Sequence, residues 1–158
     1  MKKIAILTLV LVLVLGLAAC AKEEKSTQLG TSDFSLVLPQ GYALTEDELD
    51  EDQVGYFYKD ENSIDFDVYQ WEKGDLYTLE SEANYFAGEY GAVAEAVTIN
   101  GIQGMKYVSA EAYDGYTYTV VNYMFEDDTY IVEISFWTID TEEEYKAVDE
   151  IINTLKKN

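Results

Sequence analysis

Two dipeptides, Asn100-Gly101 and Asp114-Gly115, constrain this chain more than any other feature. Each lies between runs of alternating apolar and polar residues. Asn-Gly and Asp-Gly tolerate positive φ at both central positions, which a two-residue type I′ hairpin turn requires. With a weaker turn at Asp127-Asp128, they divide the segment into four strands, about 93–99, 102–113, 116–126 and 129–137. Two-residue loops then set the register: Tyr113 opposite Tyr116, Glu111 opposite Tyr118, Tyr107 opposite Asn122. The same rule across Asp127-Asp128 pairs Tyr118 with Trp137, Asn122 with Glu133 and Phe125 with Tyr130. Because side chains alternate between faces, register sorts the meander in two. One face, with Val93, Val97, Val108, Val121, Tyr123, Phe125, Val132, Ile134 and Phe136, reads as core, with Glu95 beside Lys106 its one charged pair. The other is mixed and carries Ala94, Ala96, Tyr107, Glu111, Tyr118, Asn122, Glu133, Ser135 and Trp137.

Other elements flank the meander. Phe34 to Leu38 is a short strand stopped by the turn Pro39-Gln40-Gly41. Val54 to Lys59 is apolar and aromatic and reads as a strand. Ser63 to Trp71 alternates, with Ile64, Phe66 and Val68 on one side and Asp65, Asp67 and Tyr69 on the other, so it is a half-buried strand. Leu76, Leu79, Ala83, Phe86 and Tyr90 recur at helical spacing between Gly74-Asp75 and Gly88/Gly91. Thr141 to Lys157 reads as the clearest helix, opened by a Thr141/Glu144 capping box. Its apolar stripe is Tyr145, Val148, Ile151, Ile152 and Leu155. The order predicts an α+β fold: an antiparallel β-sheet of about six or seven strands flanked by helices.

The N-terminus is an address. Lys2 and Lys3 precede an uncharged apolar run, Ile4 to Ala19, that ends Leu17-Ala18-Ala19-Cys20. A positive start, a short apolar core and small residues before a cut define a secretory signal. The run is too short for the ~20 residues of a spanning helix. The tetrapeptide resembles the lipobox of bacterial lipoproteins. That resemblance implies removal of residues 1–19 and lipidation of Cys20, so the membrane is a partner through the lipid. Residues 20–33 follow as lipidated cysteine and polar tether, and 34–158 as a single domain outside the cytoplasm, anchored to the cell membrane or to an outer membrane.

Charge narrows the function. There is no His and no Arg, and 31 acids face 10 lysines. A Ser-His-Asp triad and a His-ligated zinc site are excluded. A net charge of −21 repels nucleic acid, whose binding rests on basic contacts. Cys20 is the only cysteine, so no disulfide forms within the chain.

The stretch Phe34-x-x-x-Leu38-Pro39-x-Gly41-Tyr42 resembles the opening of PsbP-like domains, and the tyrosine-rich meander and final amphipathic helix fit that family. The resemblance implies an α-β-α sandwich and transfers no catalytic residue. A lipidated member of that family is expected to serve as an accessory or binding module for an envelope protein or glycan.

Three features remain as candidate chemistry. The mixed face, with Tyr107, Glu111, Tyr118, Asn122, Glu133 and Trp137, sets aromatic rings beside carboxylates and an amide, a composition that interfaces favour. The alternative is that a helix covers this face, with Ala94 and Ala96 making room. The acidic run Glu46 to Asp52 offers Asp47, Asp50 and Asp52 as oxygen ligands for Ca2+, without an EF-hand pattern; the bland reading is a solvated loop. Paired carboxylates also admit a hydrolase acting on carbohydrate or peptide, provided one carboxyl is buried enough to hold a proton. The expectation is a non-enzymatic module with no cofactor.

Overall fold

The computed structural model describes residues 26–45, 49–59, 64–113, 115–137 and 140–158. Its centre is an antiparallel sheet of seven strands. In chain order these are β3 (Ala43–Thr45), β4 (Gln53–Tyr58), β5 (Phe66–Glu72), β6 (Glu95–Ile99), β7 (Ile102–Tyr113), β8 (Tyr116–Glu126) and β9 (Tyr130–Trp137). Their spatial order is β3-β4-β5-β9-β8-β7-β6. A second sheet holds β1 (Ser26–Gln28), β2 (Phe34–Val37) and β10 (Lys156–Lys157), with β2 in the middle. Two helices complete the described residues: α1 (Leu79–Glu89) and α2 (Glu142–Ile152).

The meander follows its turns. Asn100 and Gly101 have φ of 51° and 82°, as a type I′ turn demands, and Ile99 pairs with Ile102. Glu95 pairs with Lys106, and Tyr107 with Asn122. The third turn differs from expectation. Asn122 faces Ser135 rather than Glu133, and Val120 rather than Tyr118 faces Trp137. The hairpin closes one residue later, on Asp128-Thr129. The Asp127 side chain causes this: its Oδ1 accepts from the backbone N–H of Thr129 (2.8 Å) and of Tyr130 (2.7 Å), and its Oδ2 from Asp33 (2.9 Å). An Asp in that position builds its own turn and stays in the ladder. The register moves by two residues, so every side chain keeps its expected face.

The sheet is covered on both sides. On one side, Phe66, Val68, Val121, Tyr123, Phe125, Val132, Ile134 and Phe136 pack against Val148, Ile151 and Ile152 of α2, against Phe34 and Leu36 of the small sheet, and against Leu29 just after β1. Val93 and Val108, expected in this core, are 82% and 43% exposed. On the other side, Ala83 and Ala87 of α1 sit on Met105, Tyr107, Met124 and Ile131. This is the α-β-α sandwich.

Several boundaries differ from the sequence reading. The first helix begins at Leu79 after the cap Thr78, not at Gly74-Asp75, and Leu76 lies outside it and exposed. Residues 26–33, expected in the tether, are folded: Ser26–Gln28 pairs with β2, and Leu29 is fully buried. The strand at 34–37 belongs to the small sheet, and Ala43–Thr45 takes the seventh place in the large one. The C-terminal helix stops at Ile152 instead of Lys157. Thr154 redirects the chain; its hydroxyl accepts from the N–H of Val37 (2.9 Å) and donates to the carbonyl of Ile151 (2.7 Å). Asn100 Nδ2 donates to the carbonyls of Asn153 and Leu155; a helix running to Lys157 would bond the first internally and leave the second without a partner. Leu155 is then buried and the lysines pair with β2. The Thr141/Glu144 capping box is present as expected.

Candidate functional site

Helix α1 opens with its own capping box, Thr78 with Ser81, and covers only part of the mixed face. It is short, its buried residues are two alanines, and it approaches the sheet closely over β7 and β8. Beyond it the face stays open as a groove of two adjoining hollows. One, of about 510 Å3, is lined by Phe86 of α1 and its C-cap residue Tyr90 together with Glu133, Glu111 and Asn122 of the sheet. The other, of about 500 Å3, is lined by Asp67, Asp65, Tyr56 and Tyr118. Tyr69 and Trp137 line both and form the saddle between them.

The floor is polar and ordered. Glu133 is 7% exposed and accepts a hydrogen bond from the Tyr107 hydroxyl at 2.5 Å. Burial pushes its carboxyl up to about 7; Glu111 nearby adds to this, and the Tyr107 hydrogen bond opposes it. Asp67 is also 7% exposed. Its Oδ2 accepts from the Trp137 indole N–H at 2.5 Å, and its Oδ1 from the Gln53 amide. Burial pushes it up to about 6, reinforced by Asp50 and Asp65 and opposed by its two hydrogen bonds. Burial likewise raises the Tyr107 and Tyr69 hydroxyls, with carboxylates adding to it, so both rings remain neutral. Ser109 donates to Glu111 (2.7 Å) and accepts from Asn122 (3.1 Å). The walls are aromatic: Trp71 meets Phe86 edge-on at 5.5 Å, and Tyr118 meets Trp137 edge-on at 6.2 Å.

All six residues expected on this face line the groove. The shift at the third turn moves Glu133 out of the row of Asn122 and opposite Met124, yet Tyr107 still reaches it. The covering helix and the open face are both present, side by side. Asp67, Tyr69 and Trp71 were not expected here. Their alternation was legible, but only the β5–β9 pairing, Tyr69 with Glu133 and Asp67 with Ser135, brings them to this site. Gln53 and Tyr56 follow through β4.

The calcium candidates are only partly described. Asp50 and Asp52 are exposed and line different hollows, and Asp47 lies outside the described residues. Among the described residues no group of three or more acids is arranged to hold a metal. Cys20 also lies outside the described residues. No helix among the described residues is long and apolar enough to cross a membrane.

No family model matches the sequence, and no curated protein matches it. Solved structures do. CyanoP, the PsbP of Synechocystis sp. PCC 6803, superposes with a TM-score of 0.62 at 12% identity, covering 88% of this chain and 96% of that one. The fold is PsbP-like. LpqN of Mycobacterium tuberculosis, involved in cell envelope biogenesis, gives 0.55 at 16% identity over 87% of this chain and 86% of its own. A chain from Bacteroides thetaiotaomicron gives 0.58 at 18% identity; the match covers 83% of this chain but about half (49%) of that one. At these identities the PsbP-like likeness establishes architecture and assigns no residue a role.

Proposed function

We propose that this PsbP-like domain is a non-enzymatic binding module, held by a lipid on Cys20 outside the cytoplasm, that engages a ligand or envelope partner through the aromatic–acidic groove. The observation that carries this reading is the open half of the mixed face. Its rings and carboxylates are held in place by hydrogen bonds, so a ligand meets a preformed surface. The anchor rests on the Leu17-Ala18-Ala19-Cys20 motif after the apolar run. Ser26–Gln28, which the sequence alone placed in the tether, belongs to the folded domain through its pairing with β2.

A photo-crosslinking residue placed at Tyr118 tests this in intact cells, with one at Tyr145 on the opposite side of the sheet as control. Adducts at 118 and none at 145 are expected. Equal adducts at both positions, or none at 118, sink the groove reading. Cys20→Ala is expected to leave an uncut precursor without lipid label; normal labelling overturns the anchor.

A further inference from the structure

We infer that the groove takes a linear polyamine, a chain of ammonium groups joined by methylenes, with one cation in each hollow and the methylenes crossing the Tyr69–Trp137 saddle. This deepens the binding-module reading and rests on it.

Three observations converge on that chemistry. First, neither hollow has a lysine in its lining, and the chain has no arginine, so nothing in the groove neutralises its acids. An anionic ligand meets only repulsion there, while cations are drawn in by a field that low-dielectric walls concentrate. Second, acids stand in both hollows: Glu133 and Glu111 in one, Asp67 and Asp65 in the other. Asp67 pairs with Ser135, two residues from Glu133 on β9, so the two buried carboxylates are diagonal neighbours. Diagonal neighbours sit about 7–8 Å apart at the backbone. A single small ion does not serve both, whereas two ammonium groups separated by a few methylenes do. Third, the separation is bridged by rings. Tyr69 and Trp137 line both hollows, and aromatic rings attract methylenes and flanking cations. A neutral sugar would use the rings and leave the two buried carboxylates without a charge partner.

The pairing carries a proton signature. An ammonium beside Glu133 or Asp67 favours the ionised carboxylate over the protonated one. The groups facing Glu133 are Tyr107 and Glu111 of β7, Tyr69 of β5, Glu82 of α1, its C-cap residue Tyr90, and Asp52. Those facing Asp67 are Gln53, Tyr56, Asp65, Asp50, Tyr118 and Trp137. None is basic, so the ligand's own charge must displace the proton. Affinity therefore rises with pH between about 6 and 8.

Calorimetric titration of the full chain in non-ionic detergent with spermidine tests this. The comparisons are butylamine, Mg2+ at equal ionic strength and a neutral oligosaccharide. Saturable spermidine binding is expected, at least tenfold tighter than butylamine, with proton release on binding. Glu133→Gln and Asp67→Asn, both near-isosteric, are each expected to weaken it about tenfold or more, and Glu150→Gln on α2 to leave it unchanged. Spermidine binding that survives both groove variants, or that Mg2+ matches, overturns the inference in favour of a diffuse counterion coat. Oligosaccharide binding lost in Trp137→Ala, without spermidine binding, keeps the groove and discards the polyamine. Failure of all ligands together with absent crosslinks at 118 discards both.

Discussion

The two faces of the large sheet are built from the same strands, residue by residue in alternation, and they differ in almost everything else. Phe66, Val68, Ile134 and Phe136 point to one side; Asp67, Tyr69, Glu133 and Ser135 point to the other. The first side is sealed by α2 and the small sheet, and its aromatic rings pack on one another as well as on aliphatic side chains: Phe66 on Phe57 at 4.9 Å and on Phe136 at 5.0 Å. The second is roofed over β7 and β8 by the two alanines of α1 and left open elsewhere. One face is held by area removed from water. The other is held by hydrogen bonds between buried groups that water would otherwise satisfy. The difference teaches where stability and recognition reside: substitutions on the first face are felt in the melt, and those on the second in pH dependence and binding.

The largest expected effect breaks the closed face. Phe136→Ala removes a fully buried ring that touches Phe66 and Tyr123, and is expected to cost about 3–5 kcal/mol. Chemical denaturation measures it; a loss below about 1 kcal/mol contradicts the core assignment.

Next comes the pH dependence of the open face. Asp67 is raised from 3.8 to about 6 and Glu133 from 4.5 to about 7, so the folded chain holds protons that the unfolded chain has released. Their contribution is fully present below the ordinary carboxyl values. It is lost as pH rises through about 6 for Asp67 and about 7 for Glu133. Melts from pH 5 to pH 8 are expected to fall in Tm. Glu133→Gln, uncharged throughout, is expected to flatten the slope and gain up to a few kcal/mol over the native chain at pH 8. An unchanged slope in that variant means Glu133 is not the titrating group.

Trp137→Phe keeps a ring on the saddle but removes the N–H donated to Asp67, and is expected to cost about 1–3 kcal/mol. Because the indole opposes the rise of the Asp67 carboxyl, the acidic limb of the pH profile moves further up in the variant. Carbon-13 NMR of the carboxyl groups reads this directly; an unmoved Asp67 signal argues against the contact. The smallest effect is Tyr116→Ala. This ring is 68% exposed near the outer end of the same face, and stability is expected to change by less than about 0.5 kcal/mol. A larger change means the rim is packed rather than open.

Much of this architecture was legible locally. The Asn-Gly turn requires positive φ at two adjacent residues, and the structure places both there. Alternation along β7, β8 and β9 assigned the six groove residues to one face even though the last register was two residues out. A shift by an even number preserves facing. The misreadings share one cause. The turn at Asp128-Thr129 depends on the Asp127 carboxylate reaching the backbone of Thr129, Tyr130 and distant Asp33. The strand at Ser26–Gln28 has almost no apolar content and exists because β2 lies beside it and Leu29 finds a pocket. The end of α2 is set by Asn100, far away in the chain.

The division follows from what each signal spans. Turn chemistry, capping boxes and two-residue periodicity act within a few residues, so the amino-acid order by itself determined the meander, the mixed face, the existence of both helices, the capping box of the second and the acidic character. The pairing of β5 with β9, which joins residues 66–72 to 130–136, is long-range and follows from which closure buries the most apolar surface. Only that closure set Asp67 and Tyr69 beside Glu133 and Trp137, turned a mixed face into a groove, and buried two carboxylates deeply enough to push their titration upward.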